Sequence, residues 1–208
     1  MSRAQRTHRR IVEAAIELHT TVGPGRTTIS AVAERAGVQR LTVYRHFPRE
    51  EDLFRACVVH GWERFPPPDP GPWRRIADPR RRLRIALAEL YEYYGRVGDP
   101  FLVIVRDFPR VPALAALNAP YFAKWEEMRD VLAAGRGARG RRRHILLAAL
   151  EHALALETWE SLVRRSGLSD EEAVELLTGL VEGSLSATAR RRALRAARRP
   201  RPARPAGP

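Results

Sequence analysis

Residues 34–47 read ERAGVQRLTVYRHF, and the pair Gly37-Val38 breaks a helical pattern only a few positions before another short one begins. A chain built this way has to hold two short helices at a steep angle. The residue at their closest approach must be small and the turn must accept a left-handed backbone, needs that Ala33 and Gly37 meet. Val32, Val38 and Val43 are spaced to pin the second helix to the first, which leaves Gln39, Arg40, Leu41, Thr42, Tyr44 and Arg45 facing outward. That outward set is polar, basic and aromatic, and a DNA major groove admits one helix of this width. An ordinary corner between two core helices is the competing reading of the same pattern.

Helical periodicity dominates the rest of the chain, so the expected fold class is all-α. Ile11, Ala14, Ala15, Leu18 and Val22 form one apolar stripe that the GPG of residues 23–25 stops. Thr28 is placed to cap a second helix ending near Ala36. Pro48 is placed as the first residue of a fourth helix carrying Leu53, Phe54, Cys57 and Val58, with Glu50, Glu51 and Asp52 in its first turn. The PPPDPGP of residues 66–72 excludes regular structure and reads as a domain joint. Asp78-Pro79 then makes a cap and first turn for a helix with Leu83, Leu87, Leu90, Tyr94 and Val97 on one face. Residues 101–108, apolar between Pro100 and Pro109, leave a strand open because of their β-branched content. Residues 113–133 form a longer segment that Pro120 bends, and residues 144–165 read as one helix with Ile145, Ala149, His152, Leu156, Trp159 and Val163 in phase. Ser169 and Glu172 match a capping box opening the last helix. The expected organisation is a three-helix helix-turn-helix domain over 1–62, a helical effector-binding and dimerisation domain over 63–197, and a basic tail over 198–208 with the composition of disorder.

The net charge of +13 is unevenly placed: residues 1–62 carry ten Arg against six acids, and residues 189–208 carry eight Arg and no acid, while the body between is nearly neutral. A nucleic-acid partner fits the two basic ends, and a non-specific arginine-driven binder is the alternative function. A single cysteine, Cys57, rules out an intramolecular disulfide framework, and no apolar run approaches the ~20 residues of a membrane helix. These features give the expectation of a cytoplasmic chain without a membrane. Enzyme motifs are missing: GPGRTT at 23–28 lacks the spacing and the lysine of a phosphate loop, and no paired-cysteine, H-E-x-x-H or G-x-S-x-G pattern occurs. No cofactor and no metal are expected.

The run RTTISAVAERAGVQRLTVYRHFPREEDLF resembles the DNA-binding domain of the TetR family of bacterial transcriptional regulators over roughly the first 60 residues. Thr27-Thr28, Ala33, Ala36-Gly37-Val38, Thr42, Tyr44, Phe47 and Leu53 carry the resemblance. The remainder is similar to the family only in plan, a variable helical domain closed by two long helices. The resemblance implies a regulator, a repressor more often than an activator, that binds a near-palindromic double-stranded DNA operator as a homodimer and is released by a small-molecule effector. It assigns Thr28 to phosphate at the start of the second helix, Gln39, Arg40, Leu41 and Thr42 to base edges, and Tyr44, His46 and Arg49 to phosphates, with Arg45 on the same outward face. Arg40 suits a bidentate guanine contact or a phosphate clamp, and His46 either grips phosphate or caps the short helix beside Phe47. Leu41 stands where the family commonly has a smaller residue, and either touches a thymine methyl or holds the helix off the groove floor.

An effector pocket should be mostly apolar with a few convergent polar groups, and Tyr91, Tyr94, Phe101, Phe108, Tyr121, Phe122, Trp125, Met128, His152 and Trp159 are the candidates to line it. Core packing competes with that role at every one of them. The helices beginning at His144 and Ser169 carry more apolar surface than one face requires. Two copies of that pair suit a four-helix dimer bundle, with Leu150, Leu154, Leu177, Leu180 and Val181 at the seam.

Overall fold

The computed structural model describes residues 1–107 and 111–197; at 112, 113, 115, 121 and 186–197 it describes the backbone alone. The predicted tail, 198–208, lies outside the described residues, as does Phe108. Every regular element among the described residues is helical. In chain order these are α1 (Arg3–Thr21), α2 (Ile29–Arg35), α3 (Arg40–His46), α4 (Glu50–Arg64), α5 (Pro79–Val105), α6 (Pro112–Leu117), α7 (Ala119–Ala133), α8 (Arg141–Leu154), α9 (Leu156–Trp159) and α10 (Asp170–Ala197).

Two hydrophobic cores form. The first draws Ile11, Val12 and Ala15 of α1 together with Val32, Ala33, Val43, Phe47, Leu53 and Cys57. The second is built on α5, which buries Leu83, Leu87, Leu90, Tyr91 and Tyr94 against α7, α8 and α10. Asp78 caps α5 by accepting the N–H groups of Arg80 at 3.1 Å and Arg81 at 3.3 Å. Ser169 and Glu172 exchange hydrogen bonds at the start of α10, closing the capping box.

Three sequence expectations give way to packing. The apolar stretch after Pro100 is neither a strand nor a separate element, because α5 continues through Pro100 to Val105. Phe101, Leu102 and Val105 pack on the second core, and this burial offsets the backbone hydrogen bond that proline removes. The segment over 113–133 is two helices meeting at Asn118, whose Nδ2 donates to the Leu114 carbonyl at 2.8 Å. The helix expected over 144–165 breaks at Ala155, which is extended, before α9 and a π-helical turn, Glu160–Arg165. Buried donors stabilise the break: Tyr94 Oη donates to the Leu154 carbonyl at 2.6 Å, Trp125 Nε1 donates to Tyr94 Oη at 2.9 Å, and Tyr91 Oη reaches the Ala153 carbonyl at 3.4 Å. Those carbonyls lose their helical partners at the end of α8 and need replacements.

The joint over 66–72 is followed by a short 3₁₀ turn, Pro72–Arg75, and its Trp73 is almost fully buried, with Nε1 donating to Glu89 Oε2 at 2.8 Å. Buried Arg82 finishes the same corner, giving Nη1 to the carbonyls of Val131 at 2.8 Å and Ala134 at 3.1 Å at the end of α7.

Candidate nucleic-acid interface and the seam cavity

The turn between α2 and α3 is made by Gly37 in the left-handed region, φ 62°. Arg10 of α1 donates to the carbonyl of Ala36, a contact that ties the turn to the first helix. The Val38 N–H returns to the Ala33 carbonyl at 2.9 Å, so the chain reverses over the small residue the sequence supplied. Val43 and Phe47 then anchor α3 in the first core, and Gln39, Arg40, Leu41, Tyr44 and Arg45 are left exposed on the opposite side. Leu41 is 66% exposed. Thr42 is half-buried beside them.

Thr28 is the N-cap of α2; its Oγ1 accepts the Ala31 N–H at 3.2 Å, and its own hydroxyl proton remains free to donate to an anion at the helix start. Arg49 precedes α4 and grips Asp52 through two bonds, 3.1 Å from Nε and 2.8 Å from Nη2, which hold the Asp52 carboxyl below the usual range. His46 sits edge-on to His8, ring centroids 6.0 Å apart, and His8 also packs on Phe47 at 4.6 Å, so His46 leans on α1.

Residues 11–57 match the family described as bacterial regulatory proteins, tetR family. Those residues carry a TetR-family DNA-binding domain. No curated protein matches the sequence. Among solved structures, a TetR-like transcriptional regulator from Rhodococcus sp. RHA1 shares the fold at TM-score 0.62 and 21% identity, over 89% of this chain and 98% of the other. A tetR-family regulator from Streptomyces coelicolor aligns at TM-score 0.61 and 17% identity, covering 91% and 84%. AibR, solved in complex with isovaleryl coenzyme A and operator DNA, aligns at TM-score 0.61 and 18% identity, covering 84% and 97%.

Among the described residues, an apolar cavity lies away from the aromatics of the second core. It measures about 400 Å³ and opens between the two cores, walled by α1, α4, α5 and the residues around Asn118. Of the described members of the predicted lining, Phe101 alone borders it. Tyr91, Tyr94, Met128 and Trp159 are packed solid in the second core, with the two tyrosines and the half-buried Trp125 engaged at the break after α8. Trp159 lies against Gly98, where an added Cβ would stand 2.9 Å from its ring, and its Nε1 donates to Asp170 at 3.3 Å. Phe122 and His152 are exposed; His152 faces the Thr158 hydroxyl at 3.3 Å and does not interrupt a buried stripe. The side chain of Tyr121 falls outside the described residues.

The side chains that do shape the cavity have a different origin. His19, 5% exposed on α1, stacks on Phe54 of α4 with centroids 5.1 Å apart, and burial lowers its pKa to about 4. Tyr93 of α5 reaches the cavity with its phenol pushed up to about 12 by burial. Cys57 also borders it, its thiol raised to about 12 and therefore protonated and inert. His19 was legible only as a phase relation: it follows Ile11 and Ala15 by steps of four, whereas Val22, assigned to that stripe, is exposed.

The predicted dimer residues divide in the same way. Leu150, Leu154, Leu177 and Val181 are buried within the chain's own second core. Leu180 is 59% exposed and Leu176, one turn earlier, 43%. Beside them on α10, Gly179 and Gly183 have open space above their Cα atoms. Among the described residues no cluster of three His, Cys, Asp or Glu is placed to hold a metal, and no helix is long and apolar enough to cross a membrane.

Proposed function

We propose that this chain is a ligand-responsive transcriptional repressor of the TetR family that binds a near-palindromic operator as a homodimer and is released by a small molecule. One observation carries the reading: α3 is anchored by Val43 and Phe47 on one side while Arg40, Leu41, Tyr44 and Arg45 project from the other, an arrangement that offers base-edge and phosphate contacts and has no packing purpose of its own. The thiol chemistry at Cys57 and the absence of nucleophile–base motifs favour a binding protein over an enzyme. A role on DNA and the absence of a membrane-crossing helix among the described residues support a cytoplasmic location. AibR shows that a protein of this fold holds an acyl-CoA and operator DNA.

Dimerisation is assigned to α10 and α8, through the exposed pair Leu176 and Leu180 and the two glycines that let a second backbone approach. Two α3 helices then enter successive major grooves about 34–36 Å apart, or a multiple of that. Selection from a random duplex pool tests the whole reading: a two-fold-symmetric consensus bound in the presence of excess unrelated DNA is expected, and enrichment of no sequence would leave the arginine-driven, non-specific alternative.

A further inference from the structure

We infer that the cavity between the two cores is the effector site, and that its ligand is an organic acid with an apolar body, its anionic head held by Arg96, Tyr93 and the His19 ring and its body lying against Phe54. The inference rests on the regulator reading and names the ligand class for it. The volume, about 400 Å³, suits a small molecule. Two polar side chains in the wall, His19 and Tyr93, are more than nine-tenths buried and make no hydrogen bond to another described residue. Buried polar groups without partners are rare in folded proteins, and one that borders a void is satisfied by whatever fills it. A neutral imidazole offers one donor, a phenol another.

Charge decides what kind of head they meet. Glu13 and Glu17 at the rim are engaged, by Arg9 at 2.8 Å and by Arg35 respectively. Arg64 lies over the Phe65 ring at 5.5 Å. Arg96, one turn after Tyr93 on the same face of α5, has no ion pair or hydrogen bond among the described residues, and its charge is felt at the Tyr93 hydroxyl. An unpaired guanidinium beside a phenol donor recognises a carboxylate. Apart from Thr20, His60 and Asn118, the rest of the wall is mostly apolar and aromatic, including Val58, Trp62, Val97 and Phe101. An acid seated there touches α1 and α4 of the DNA-reading head directly, without relay through the second core.

Calorimetry on the full chain tests this with three probes of one chain length: decanoate, decanol and decyltrimethylammonium. Decanoate should bind best and the cation worst. Arg96→Gln, at an exposed position, should weaken decanoate by about tenfold or more and leave decanol unchanged. Val58→Trp, which fills the cavity, should abolish both. Equal affinity for the three probes, or decanoate binding that survives Val58→Trp in a folded protein, overturns the inference. Operator binding is measured separately: decanoate binding without any selected operator would sink the regulator reading alone, and a specific operator with no decanoate binding would sink the ligand class alone.

Discussion

Acidification should destabilise the DNA-reading head through His19. In the folded chain this ring is neutral, held to a pKa of about 4 by burial against Phe54, whereas an exposed histidine titrates near 6.5. The folded pKa is depressed, so the stability is complete above the unfolded pKa and is lost as pH falls toward the folded one. The unfolded chain takes up a proton across that window while the folded chain refuses it. Two and a half units correspond to about 3.4 kcal/mol at most, and between about pH 7.5 and pH 5 the linkage relation gives a loss of about 2 kcal/mol. His8, lowered by burial and by the His46 charge, adds in the same direction. Urea denaturation of the wild type and of His19→Phe, which keeps a ring on Phe54, isolates the contribution. The variant should lose about 2 kcal/mol less than the wild type over that range. Parallel curves for the two proteins would show that the ring is not held neutral by burial.

Gly37→Ala places a Cβ at φ 62° and 2.9 Å from Arg10 Nη2, and should cost about 1–2 kcal/mol in a urea titration while weakening DNA binding. Leu180→Glu should give folded monomers in sedimentation analysis, whereas Leu177→Glu, in the second core, should unfold that domain; a stable dimer of the first would remove α10 from the interface. Arg40→Ala should relax one base preference by about 1–3 kcal/mol of discrimination, while Tyr44→Phe should weaken operator and unrelated DNA alike, both read by competition binding.

What the sequence disclosed was whatever local chemistry decides. Gly37, the Asp78-Pro79 cap and the Ser169/Glu172 box act over three or four residues, so their consequences are visible in the letters. Positions set by distant partners are not visible in this way. Ala155 is extended because Tyr94 and Trp125, on other helices, reach the end of α8, and nothing near Ala155 in the sequence announces them. Pro100 stays inside α5 because Phe101 and Val105 have a core to join. The aromatic residues of the second domain looked like a pocket lining because composition does not distinguish a filled core from a hollow one. The cavity formed instead where two cores meet, and its buried polar side chains, His19 on α1 and Tyr93 on α5, stand 74 positions apart in the sequence.

That location bears on how a ligand could release DNA. The turn after α1 is held from the second domain by Asp107, a buried carboxylate just beyond α5 whose Oδ2 accepts the Gly25 N–H at 2.9 Å. Gly23 comes so close that an added Cβ would stand 2.5 Å from the same oxygen. The turn after α1 is therefore tied next to the end of α5, while a few residues earlier His19 and Thr20 face the cavity. A ligand that spreads α1 from α5 works against the Asp107 anchor as a lever works against its pivot, and the anchor sets how much of the strain reaches α2 and α3. Operator and effector must then weaken each other by one common factor, typically worth about 1–3 kcal/mol. Asp107→Ala removes the pivot but leaves both cores and the cavity wall in place, and the Gly25 N–H it frees is at the surface, where water replaces it. Effector affinity measured with and without operator should therefore differ by a smaller factor in Asp107→Ala than in the wild type, with little change in either affinity measured alone. An unchanged factor would mean that the coupling runs through α4, whose Phe54 and Val58 share the cavity, and not through the anchor.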